Sequence, residues 1–362
     1  MLFGQNTFQA TLTVCVTLVL AFVATGFASS AYHKERTSLG VSHYNRGKAL
    51  ETHGELEPAL EEYRKALFFS PDKTEYRLSL ATALLEAGRL DEAQSHLEQL
   101  LQDNPTSGQI NLLLGRLAVL QHNLKQAVDY YQRGVYEYWP ESELPQRRQA
   151  RWELANLLSQ TGDRGGFIAE LMQLYTNLPA GATAEKLKVG FLLLSNGATS
   201  EAWRIFRDLV KAVLQNADAH RGMGDVNFNM GDYVSARHEF QRALRLKPDD
   251  EASTQQLALT NDVIDMDAAL PYLTAYEQVR RSRNLLNRVV KDLESCITNS
   301  APAAQRLKNA QALLTQENKT EDAAYMMQTN AAQLWADRKT MCGTAIPQDR
   351  ALDTVFARTG HE

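Results

Sequence analysis

Charge is absent from the first 32 residues, and from Phe8 to Ala28 the chain reads FQATLTVCVTLVLAFVATGFA, uncharged and mostly apolar. At about 1.5 Å rise per residue, a helix of that length crosses a bilayer core of roughly 30 Å. Beyond it the pattern changes. Apolar positions recur at helical rather than alternating spacing, in segments rich in Ala, Leu, Glu, Gln and Arg, and turn-bounded alternating runs are scarce. The pattern predicts an all-α chain with an N-terminal membrane anchor or signal segment over 1–31.

The helical part repeats itself. GELEPALEEYRKALFFSP at Gly54–Pro71 returns as GDYVSARHEFQRALRLKP at Gly231–Pro248. A frame of Gly47, Gly54, Ala59, Tyr63, Ala66 and Pro71 moves on by 34 residues to Ala81, Gly88, Ala93, Leu97, Leu100 and Pro105. With two small slips it can be followed through six copies, at 40–73, 74–107, 108–141, 148–181, 183–216 and 217–250. Physically the frame describes a helical hairpin. Small residues at the eighth and twentieth places let two helices approach, and glycine at the fifteenth suits the turn. The bulky twenty-fourth fills the gap between successive hairpins, and proline at the thirty-second stops the second helix. One hairpin cannot bury its apolar stripe alone, so copies stack.

This frame resembles the tetratricopeptide repeat, a 34-residue helix–turn–helix unit. The resemblance implies an α-solenoid, a right-handed superhelix of about six hairpins whose first helices line a concave groove. Additional C-terminal helices would follow. Residues 251–270 read as a capping helix and 271–342 as a further helical region, with Leu286, Val289, Val290, Leu293 and Ile297 at helical spacing. Residues 343–362 read as a loose tail. Whether 271–342 docks on the array or stands apart is left open by the sequence. The six residues inserted around Trp139–Pro145 read as a surface loop, with Trp139 as a contact anchor in the sharper version of that reading.

Composition narrows the function. The chain has 362 residues and a net charge of −5, which gives no general pull toward nucleic acid. Its eight histidines are scattered without metal-ligand spacing, and there is no CxxC, phosphate loop or nucleophile elbow. No enzyme and no cofactor are expected. Five basic residues between Arg280 and Lys291 read as a solvated helix face.

The resemblance instead implies a protein partner, with the second, fifth, ninth and twelfth places of each first helix facing the groove. Those places hold Tyr44 and Lys48 in the first copy, Leu78 in the second, Leu112, Arg116 and Val119 in the third, and Trp152 and Asn156 in the fourth. The fifth copy supplies Phe191 and Leu194, and the sixth Asp218, Arg221, Asp225 and Phe228. The Lys/Asn set by which some relatives grip a terminal carboxylate is not reproduced. The apolar middle of the groove suits an amphipathic helix or extended apolar peptide.

The expected function is a membrane-tethered interaction scaffold. The alternative is a structural subunit of a cell-envelope assembly, secretion or maturation complex, contacting partners through its outer surface and C-terminal helices. Sidedness is pulled two ways. Lys34 and Arg36 follow the apolar segment and favour a cytoplasmic C-terminal part. Cys296 and Cys342, the cysteines outside that segment, could form a disulfide in an oxidising compartment.

Overall fold

The computed structural model describes residues 3–295, 301–316, 320–342 and 349–359, with side chains from Thr17 onward other than those of Val19, Ala28, Ala301, Asp349 and Thr359. Among them are seventeen α-helices, one 3-10 turn at Glu141–Glu143 and no strand. The fold is all-α and built from hairpins of the tetratricopeptide type. The chain divides into two compact units, Met1–Leu174 and Tyr175–Glu362.

The first unit opens with α1 (Phe3–Thr52), one continuous helix that carries the uncharged segment into the first repeat. Its latter part forms a hairpin with α2 (Leu56–Phe69). Two further hairpins follow, α3 (Thr74–Glu86) with α4 (Leu90–Asp103) and α5 (Gly108–Leu120) with α6 (Leu124–Tyr136). The fourth pairs α7 (Leu144–Gln160) with α8 (Arg164–Asn177), inside which the division falls. The fifteenth place of five copies is a glycine at φ between 71° and 79°, a left-handed turn that costs glycine little. The third copy makes the same turn with His122, at φ 58°.

Packing within each hairpin is set by the eighth and twenty-fourth places. A Cβ added to Gly47 would lie 2.7 Å from the Tyr63 ring, and one on Gly115 2.9 Å from Tyr131. In the second unit the same relation joins Gly190 to Phe206 at 2.7 Å and Gly224 to Phe240 at 2.6 Å. The aromatic ring therefore lies directly on the bare backbone of its own hairpin, rather than only between neighbouring hairpins as the sequence suggested.

The inserted residues lie largely at the surface as expected, but Trp139 is not the contact anchor of the sharper reading. Trp139 is buried, its Nε1 donates to the Gly134 carbonyl at 2.6 Å, and it occupies the space a side chain at Gly108 would need. The Gly108 amide donates to the Tyr138 carbonyl at 3.1 Å, so the insertion is pinned to the start of α5. Its remainder forms the 3-10 turn and the first turn of α7, where Pro145 is tolerated because its missing N–H needs no partner there.

The second unit holds α9 (Thr183–Ser195) with α10 (Thr199–Ala212), then α11 (Ala217–Asn229) with α12 (Tyr233–Leu246). α13 (Glu251–Met266) covers the last hairpin, followed by α14 (Ala275–Glu294), α15 (Ala301–Thr315) and α16 (Glu321–Met341). A shared core of Phe240, Val263, Leu286, Val289 and Trp335 joins the sixth repeat to these helices, so 271–342 docks on it. The end of the chain corrects the sequence reading. Residues 349–359 are not loose but form α17 (Asp349–Thr359), whose Leu352, Val355 and Phe356 are buried in the same core, with Phe356 stacked on Trp335. The basic run on α14 is engaged within the chain: Arg283 donates to the carbonyls of Leu314 and Gln316, and Arg280 pairs with Glu277.

Cys342 is disulfide-bonded; Cys296, its expected partner, lies outside the described residues. Among the described residues no helix is long and apolar enough to cross a membrane. Much of the segment expected to do so, 8–28, falls outside the residues whose side chains are described.

Candidate functional site

Building the groove from its first helices shows which expected residues are free to bind. Tyr44 is buried. Its ring stacks on Tyr76 at 4.4 Å between centroids, and its hydroxyl donates to Glu75 at 2.7 Å on the next first helix. Burial pushes the Tyr44 hydroxyl up to about 12. Lys48 is exposed, with its ammonium 5.3 Å from the Tyr44 ring. Leu112 and Phe228 are buried too, so these three side chains pack hairpins instead of facing a ligand.

An accessible cleft of about 340 Å³ forms between α3 and α5. Thr82 and Leu85 line it from α3, and Arg116, Val119 and Leu120 from α5, with Tyr131 of α6 at its base. Arg116 is fixed by two hydrogen bonds to Glu153 of α7, at 2.9 and 2.7 Å. Glu153 also accepts from the Tyr131 hydroxyl at 2.8 Å and from Gln149 at 3.1 Å. Burial would push the Glu153 carboxyl up, but the Arg116 hydrogen bonds and charge outweigh it and hold it below the ordinary range. Burial and then Glu153 raise the Tyr131 hydroxyl. The result is an apolar cleft edged by an oriented guanidinium whose paired carboxylate lies on the next first helix.

A second hollow of about 420 Å³ brings Leu78 of α3 and Gln109 of α5 beside the exposed Tyr138 and Pro140 of the insertion. Trp152 is half-buried and Asn156 exposed on α7. In the second unit Phe191 and Leu194 are half-buried on α9. Phe191 packs on Phe206 at 4.9 Å and lies under the Arg221 guanidinium at 4.4 Å. Sequence reasoning missed Leu120, Tyr131 and Glu153. Leu120 is one residue past the expected groove places, Tyr131 had been assigned to packing, and the Arg116–Glu153 pair spans 37 residues with no local signal. Among the described residues no group of three or more His, Cys, Asp or Glu could hold a metal ion.

Comparison with known proteins agrees with the hairpin reading. Residues 78–142 and 217–250 each match a tetratricopeptide repeat family. The chain is 25% identical over 220 residues to the human protein O-mannosyl-transferase TMTC1, covering 61% of this chain and 20% of that protein. It is 39% identical over 71 residues to the mouse superkiller complex protein 3, covering 20% of this chain and 4% of that protein. The chain thus spans a fifth or less of the length of these relatives. Among solved structures it is similar to YrrB, described as a tetratricopeptide repeat protein with an unusual peptide-binding site. The TM-score is 0.40 at 16% identity, over 53% of this chain and 95% of that one. Pseudomonas aeruginosa PilF gives a TM-score of 0.40 at 16% identity, over 62% and 99%.

Proposed function

We propose that this chain is a non-enzymatic interaction scaffold, tethered to a membrane through residues 8–28, that holds an amphipathic helix or extended apolar peptide of a partner protein in its repeat groove. The observation that carries the reading is the cleft of Leu85, Val119 and Leu120 beside a guanidinium already oriented by Glu153. Apolar anchors give affinity in such a cleft, and a fixed cation gives direction by facing a carbonyl or carboxylate of the ligand. The tether is supported by Leu18, Leu20, Phe22 and Phe27, large apolar side chains that stand exposed on α1.

The test is affinity capture of membrane-solubilised partners by the full chain and by a Leu85→Glu/Val119→Glu variant. Helical content, read by circular dichroism, should be unchanged, and the captured partner should be lost. Retention of the same partners by the variant would overturn the cleft as the site.

A second reading is supported by exposed Tyr276, Tyr325 and Met326 on α14 and α16. A structural subunit docking through these helices would co-purify at fixed stoichiometry, insensitive to the cleft substitutions but sensitive to Tyr325→Ala.

A further inference from the structure

The second unit contains a pocket of about 530 Å³ between α11, α13 and α17. α11 contributes Arg221 and Asp225, α13 contributes Gln256 and Leu259, and α17 contributes Arg350. Asp225 occupies the ninth place of the sixth first helix, the place Arg116 holds in the third.

The charges in this pocket are unevenly matched. Arg221 is engaged: it donates to Asp218 at 3.1 Å, its Nε lies 3.7 Å from Asp250, and its guanidinium sits over Phe191. Arg350 lies 5.9 Å above the Phe228 ring. Asp225 makes no hydrogen bond and no ion pair with any described residue. Arg221 keeps a buried Nε without a hydrogen-bond partner and Arg350 makes no ion pair, but three carboxylates, Asp218, Asp225 and Asp250, are set among these two guanidiniums, and Asp225 is the one with neither a hydrogen bond nor an ion pair. A phosphate or carboxylate ligand would be set against it.

A partly buried carboxylate with no hydrogen bond or ion pair is compensated only in part by the charges of Arg221 and Arg350, and a cation brought by a ligand would complete that compensation. Burial pushes the Asp225 carboxyl up to about 6, although Arg221 and Arg350 pull the other way. The aliphatic Leu259 offers a surface for an alkyl stem, and the Gln256 amide can pair with a peptide group.

We infer that this pocket is a subsite for a basic side chain, lysine or arginine, of a bound polypeptide, with the cation on Asp225, the stem along Leu259 and the ligand main chain at Arg350 and Gln256. The inference rests on the reading of the chain as a polypeptide-binding scaffold. It uses side chains of the second unit only, so it fails or stands separately from the cleft of α3 and α5.

The experiment uses the full-length chain in nanodiscs with methyl-labelled leucine and two capped tripeptide probes, acetyl-Ala-Lys-Ala-amide and acetyl-Ala-norleucine-Ala-amide. The lysine probe should shift the Leu259 methyl signals saturably, and the norleucine probe should not. Asp225→Asn should weaken the lysine response at least tenfold while raising the thermal midpoint of the free protein, which shows that the variant folds. Leu85→Glu/Val119→Glu should leave the lysine response unchanged. Equal responses to both probes, or an unaltered lysine response in Asp225→Asn, would overturn the subsite. So would a lysine response that emerges only in Arg350→Ala, because Arg350 would then be the partner of Asp225 in the free protein.

Discussion

At the scale of single residues, the eighth and twenty-fourth places follow one rule through all six copies. Where the twenty-fourth is aromatic, as in Tyr63, Tyr131, Phe206 and Phe240, the eighth is glycine. Where it is leucine, as in Leu97 and Leu171, the eighth is alanine, Ala81 and Ala155. Volume lost on one helix is regained on the other, as close packing demands. Gly224→Ala places a methyl 2.6 Å from the Phe240 ring and should destabilise by about 1–3 kcal/mol. Phe240→Leu should be costly alone yet recover part of that loss in the double variant, giving a coupling of about 0.5–3 kcal/mol in a denaturation cycle. Additive effects would show that the ring does not rest on Gly224. His122→Gly should raise the urea midpoint by an amount corresponding to about 1 kcal/mol, because it relieves the left-handed backbone of the third turn. These positions were legible as a list of small and large residues. Which large residue met which small one was not, because the contact depends on how the two helices are rotated about their axes.

At the scale of the element, the hairpin carries a second recurring pair, polar this time, between the fourth and twenty-third places. His43 meets Glu62 at 2.8 Å, Arg151 meets Glu170 at 2.7 Å, and His220 meets Glu239 at 2.6 Å. Glu62 gathers the most partners. Lys65 and His43 hydrogen-bond it and Arg46 adds its charge, so that its carboxyl is held down to about 2 although burial opposes them. The unfolded carboxyl titrates near 4.5, so its contribution is fully present above that pH and is lost as pH falls toward about 2. Glu62→Gln should therefore lower the urea midpoint at pH 7, and the difference from the parent should shrink below about pH 4.5 and vanish only as pH falls through about 2. A difference that persists in strong acid would assign it to packing instead. Nineteen residues separate the partners in every case, so the pairing could have been read from the repeat frame. It went unread because the fourth place changes between histidine and arginine and escapes a search for identical residues. α17 went unread for a different reason. Ala351, Leu352, Val355 and Phe356 have helical spacing, but so short an amphipathic stretch near Gly343 and Gly360 has too little intrinsic helicity to be recognised without the surface it covers. Phe356→Ala should cost about 3–5 kcal/mol, measured as a fall in thermal midpoint. A side chain in a loose tail would leave that midpoint unmoved.

At the scale of the whole molecule, the repeat specified the architecture but not the place of binding. The twelfth place is packed in the interior at Phe228 and exposed at Ser159, and the fifth is buried at Leu112 but half-buried at Leu78. Exposure depends on the neighbouring hairpins, which no single copy encodes. Sidedness is likewise a property of the entire chain, and two contacts bear on the two sequence signals. Arg36 donates to the Phe68 carbonyl at 2.9 Å, at the C-terminal end of α2, where a cation is favoured whatever the compartment. Its weight as a topology signal is reduced accordingly. The disulfide at Cys342 needs an oxidising compartment to persist. On these two points we propose an extracytoplasmic C-terminal part. A reporter active only outside the cytoplasm, fused after Glu362, should therefore be active. The full chain should also run differently on gels with and without reductant, with the difference lost in Cys342→Ser. Activity of the complementary cytoplasmic reporter, with no reductant-sensitive mobility, would instead make Lys34 and Arg36 the deciding signal and place the partner of the cleft inside the cell.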